Sequence, residues 1–139
     1  MNNSLSSIRS SLNTNLSAVT QLKEVKIGRT TTFSAFPAPR HYLYGVTDQP
    51  LDTANNYRTW RHGIDIIMPY SIEGLSVEDA EEEFQDAVDA VLNKLNTEWD
   101  ANTDHSIVEI GTVRELTDAP FGPAAIMTIV WQANTAHTF

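Results

Sequence analysis

The apolar residues at the start of the chain recur at helical spacing. Leu5, Ile8, Leu12, Leu16 and Val19 are separated by three, four, four and three positions, and Leu22 follows. That spacing puts one apolar stripe on one face of a helix, with Ser4 as its N-cap. The opposite face is rich in Ser, Asn and Thr, which favour helices weakly, so packing must supply most of this helix's stability. The period then shortens. Val25 to Ile27, closed by Gly28, and Thr30 to Phe33 are β-prone. Phe36-Pro37-Ala38-Pro39 interrupts the pattern, because two prolines cannot donate to a ladder. His41 to Val46 reads as a strand with Tyr42 and Tyr44 on one face and His41 and Leu43 on the other.

Residues 47–56 (TDQPLDTANN) read as a polar loop, and Tyr57 to Met68 as the longest strand. In that strand Trp60, His62, Ile64, Ile66 and Met68 share one face. Thr59, Arg61, Gly63, Asp65 and Ile67 share the other, as in a sheet covered on one side only. Strand, loop and strand form a long hairpin. A second helix opens at Ser76, with Asp79 three residues on. Its buried stripe is Val77, Ala80, Phe84, Ala87, Val88, Val91, Leu92, Leu95 and Trp99. His105 to Arg114 is a further strand, 118–123 a turn, and Ala124 to Ala133 a strongly apolar closing strand. The order α-β-β-β-α-β-β predicts a single α+β domain over residues 1–139, a mainly antiparallel sheet with two helices packed on one face.

Composition narrows the function. The chain has 139 residues, 41% of them hydrophobic, which is enough for one ordinary core. It contains no cysteine, which excludes disulfides, Cys-ligated metal centres and thiol nucleophiles. No apolar run reaches the roughly 18 residues of a membrane span, so no membrane partner is expected. The polar start MNNSLSSIRSS is unlike a secretory leader. Nine basic residues face 18 acidic ones, for a net charge of −9, which argues against gripping nucleic acid. The charge is uneven. Residues 1–46 hold Arg9, Lys23, Lys26, Arg29 and Arg40 against Glu24, whereas residues 47–139 hold four bases and seventeen acids. Such halves read first as two solvated faces that keep the chain soluble, and second as surfaces for head-to-tail stacking of copies, which salt would weaken.

Catalytic signals are missing. Seven acids fall between Glu78 and Asp89, but they occupy the first turns and polar face of a helix, where its dipole favours them. The four histidines, at 41, 62, 105 and 137, never pair at a spacing of three or four, although His41 and His62 can meet across the hairpin. No nucleophile elbow or phosphate-cradling glycine loop is present. The expectation is a non-enzyme with no catalytic, metal or cofactor site. Contact surfaces are better supported. They are the loop 47–56 with Asp52 and its flanks Arg58 and Arg61, the turn bearing Phe121, the arginines of the basic third (Arg29, Arg40), and the open edge of the sheet.

The element order also carries a resemblance. A polar amphipathic helix leads to Phe36-Pro37-Ala38-Pro39, the strand Tyr42-Leu43-Tyr44-Gly45 and a polar acidic loop. Then come Tyr57-Arg58-Thr59-Trp60 through Ile64-Asp65-Ile66-Ile67-Met68-Pro69, a helix opened by Ser-x-x-Asp, and two closing strands. From about Leu5 to Ala133 the chain resembles the tail terminator and tail-to-head joining proteins of long-tailed bacteriophages, apart from a longer segment at Tyr70 to Leu75. The resemblance implies a ring, usually a hexamer, at the head-proximal end of the tail tube in the virion. Its implied partners are copies of itself, the tail tube protein and the head completion or connector protein. DNA passes through the lumen without being held, and no cofactor is implied. A small ligand- or peptide-binding domain with a pocket lined by Trp60, Trp99 or Trp131 is the alternative from another class.

Overall fold

The computed structural model describes residues 5–50, 55–72, 74–97, 104–117 and 123–138. Two helices and a six-stranded, mostly antiparallel sheet are formed among them: α1 (Leu5–Ser17), β1 (Lys26–Ile27), β2 (Ala38–Pro50), β3 (Asn55–Pro69), α2 (Val77–Leu95), β4 (Asp104–Ile110), β5 (Arg114–Leu116) and β6 (Ala124–Thr138). The sheet order is β1-β2-β3-β6-β4, and β5 pairs with β6. Only the β1–β2 pair is parallel. The predicted α+β class is the observed one. No helix in the described residues is long and apolar enough to cross a membrane.

Both helices cover one face of the sheet. Ile8, Leu12 and Leu16 of α1 and Ala80, Phe84, Ala87, Val91 and Leu95 of α2 pack on Ile64, Ile66 and Met68 of β3 and on Met127, Ile129 and Trp131 of β6. The alternation read for β3 is the observed one, since Ile64 pairs with Ile129 and Ile66 with Met127 on the helix side. Ser76 caps α2, its Oγ accepting the Asp79 N–H at 3.1 Å. Val77 is corrected: it is 67% exposed at the helix start, before the stripe turns inward. The helix closes at Leu95, short of the expected end near Trp99, which lies outside the described residues, as does the expected cap Ser4.

Four further readings change. The loop 47–56 is mostly ladder: Thr47 pairs with Thr59 and Pro50 with Asn56, leaving 51–54 outside the described residues. Polar composition hid these strands, because backbone pairing with β3, and for residues 55–56 with β6 as well, outweighs weak β-propensity. β2 begins at Ala38, inside the Pro-containing stretch. Pro39 is tolerated there because β1 joins the other side of β2 only from Arg40 onward, so no donor is missed. Thr30 to Phe33 forms no strand; Phe33 and Phe36 instead cover Ile67, Ala124 and Ile126 on the sheet's second face. Finally, the strand read over 105–114 splits into β4 and β5 at Gly111, whose N–H donates to Thr128 O at 2.9 Å. A Cβ at Gly111 would stand 2.7 Å from that carbonyl oxygen, so the close approach requires glycine.

Candidate assembly surfaces

The face of the sheet away from the helices is organised by one acid. Asp65 is 3% exposed and sits in the apolar run Ile64-Asp65-Ile66-Ile67. Arg40 Nε donates to its Oδ2 at 2.9 Å, while Tyr42 Oη and Thr128 Oγ1 donate to Oδ1 at 2.9 and 2.6 Å. Arg40 also donates to Thr30 O at 2.7 Å, tying the 28–37 segment to the sheet. Burial and the neighbouring Asp65 carboxylate push the Tyr42 hydroxyl up to about 12, so it stays a donor. Arg29 lies over the Tyr42 ring at 4.0 Å, a cation–π contact.

Two β-bulges flank this centre, at Leu43/Gly45 in β2 and Ile107/Glu109 in β4. They fall at the same level of the sheet, beside the His62–Trp131 pair of β3 and β6. Bulges curl a sheet and re-aim side chains. Here they border an open groove of about 380 Å³ floored by Thr128 and Val130, with Tyr42 and Tyr44 on one wall and Glu109 to Arg114 on the other.

On the helix side, His41 and His62 come together diagonally across the hairpin, as its pairing allows. They line a cavity of about 140 Å³ with Arg9, Leu5 and Leu43. His41 Nε2 bonds Asn13 Oδ1 at 2.9 Å, and the Nδ1 atoms of both rings are buried without a partner. Burial first, then neighbouring charge, pushes both imidazoles down to about 4, so both are neutral. Among the described residues no three His, Asp or Glu side chains gather as metal ligands.

The predicted contact residues separate. Arg29 and Arg40 meet around Tyr42, but Arg40 is mostly buried and serves the fold. Arg58 stacks over Trp60 at 5.4 Å, and Arg61 is half-buried with its Nε unpartnered. Asp52 and Phe121 lie outside the described residues. For the tryptophan pocket, Trp131 is fully buried with its Nε1 donating to His105 Nδ1 at 3.1 Å, and Trp60 packs against the same core. Sequence reasoning missed Asp65, whose signal was a lone acid inside an apolar strand. It also missed Glu24, which accepts from Ser34 N, Ser34 Oγ and Ala35 N and pairs with Lys26. The Ser34 N–H leads in drawing its carboxyl down to about 2.

Exposed apolar side chains are concentrated at the two lateral ends of the sheet. At the β1–β2 end stand Ile27, Leu43, Tyr44 and Val46, and at the β4–β5 end Val108, Ile110 and Val113. Among the described residues these are seven of the eight exposed large hydrophobic side chains; Val77 is the eighth. No model of a known family matches the chain, and no curated protein matches it.

Proposed function

We propose that the chain is a structural assembly protein that closes into a ring at the head-proximal end of a phage tail tube. There it ends tube polymerisation and offers a surface to the head connector. The observation that supports this reading is the placement of exposed apolar side chains at opposite ends of one sheet. The two ends are different surfaces, so contacts between them are heterologous, and heterologous contacts close into rings when the rotation allows. Such a role involves no chemistry and no cofactor. The resemblance over Leu5 to Ala133 supplies the tail setting and the hexameric expectation.

Negative-stain electron microscopy of lysates from a phage lacking the gene tests this reading. Over-long, headless tails are the expected result. Tails of normal length beside full heads assign the joining role of the same fold. Ordinary virions overturn the tail assignment.

A further inference from the structure

We infer that neighbouring copies meet end to end, the β1–β2 end of one against the β4–β5 end of the next. This rests on the reading of the protein as a self-assembling ring and names the surfaces that would build it.

The two ends complement each other in charge. Around the apolar side chains of the β1–β2 end stand Arg9, Lys26 and Arg29; Lys26 is paired with Glu24 at 3.2 Å, whereas Arg9 and Arg29 are solvent-exposed. Around those of the β4–β5 end stand the exposed Glu109 and Glu115 against one exposed base, Arg114, which donates to Thr128 Oγ1 at 3.3 Å, so this end is net acidic. An apolar centre with a charged rim is the usual anatomy of a protein interface. Opposite signs on unlike ends favour the heterologous pairing and penalise end-on-self contacts.

Ladder extension is not the mode of contact. The strands that leave the longest open edges, β2 beyond His41 and β4, each carry a bulge, at Leu43/Gly45 and at Ile107/Glu109, and bulged edges resist continuous strand pairing. Contact therefore runs through side chains, and single side chains can block one end at a time. Val46 is 50% exposed and Ile110 52% exposed, so a charge at either is tolerated by the isolated fold.

The test uses the full chain and two variants, Val46→Glu and Ile110→Lys, each placing a charge of the same sign as the end it would meet, with unfolding curves to show that both stay folded. Sedimentation velocity should show assembly of the unsubstituted chain and monomers for each variant alone, association falling about a hundredfold or more as a charge is buried at the contact. Mixed, the two variants should form 1:1 dimers and nothing larger, because each keeps one working end and the two are complementary. A variant that still assembles alone, or a mixture that stays monomeric while the unsubstituted chain assembles, overturns the pairing and leaves the ring reading standing. An unsubstituted chain that is monomeric at every concentration overturns both.

Discussion

The ring of Tyr42 lies across Gly63, with a Cβ at position 63 falling 2.5 Å from Tyr42 Cε2. The two residues are paired directly across β2 and β3. The absence of a side chain at 63 lets the ring lie flat on the sheet, where its hydroxyl reaches Asp65 and Arg29 stacks on its outer face. Gly63→Ala should therefore push the ring off both partners and cost about 1–3 kcal/mol, the range for overpacking. Urea unfolding measures the loss, and a change within error of zero would show that the ring relocates freely.

Asp65 is the larger test. Removing one partner of a buried ion pair strands the other charge, at a cost of about 3–5 kcal/mol. Asp65→Ala takes the carboxylate from the mostly buried Arg40 and the acceptor from Tyr42 and Thr128. A drop in unfolding free energy near that range is expected. A loss under about 1 kcal/mol would mean that water replaces the carboxylate without difficulty.

Stability should depend on acid through His41 and His62. Their folded pKa values lie near 4 against an ordinary 6.5. Below pH 6.5 the unfolded chain takes up protons that the folded chain refuses, so stability is complete above that value and falls as pH drops toward 4. Each histidine contributes at most about 3 kcal/mol over that window. Denaturation midpoints at pH 7 and pH 5 should differ in that direction, and replacing either histidine with Gln should flatten the difference.

The acidic face of α2 should tolerate neutralisation. Asp86 and Asp89 are exposed on the solvent side of the helix. Asp86→Asn with Asp89→Asn should shift stability by less than about 0.5 kcal/mol and leave assembly unchanged. A large functional loss in complementation of the phage would instead revive a chemical role for these carboxylates.

Ionic strength should act on the speed of association. Charged rims steer encounter and are screened within a Debye length, about 10 Å at 0.1 M salt. With Arg9 and Arg29 at one end and Glu109 and Glu115 at the other, the association rate constant should fall as salt rises, while dissociation changes little. Stopped-flow mixing of the two singly blocked variants measures both rates.

Much of the fold was legible because burial imposes a period. Ile8, Leu12 and Leu16 at helical spacing, and Ile64, Ile66 and Met68 at strand spacing, face the core as read. Ser76 and Asp79 marked the start of α2 because capping is a local interaction. The loop 47–56 was misread because its ladder bonds belong to the backbone, which polar side chains do not reveal. The contact residues were harder to read. Arg40 and Arg29 look alike in the chain, yet one is held by Asp65 and the other stacks outside Tyr42.

The sequence by itself determined the two helices, the face each buries, the apolar core strands and the absence of thiol chemistry, since periodicity, caps and composition act over a few residues. The tertiary structure alone decided that Asp65 is a buried acceptor and that exposed apolar side chains collect at the two ends of the sheet. Those relationships join residues about 20 to 80 positions apart, and the order and register of the strands bring them together.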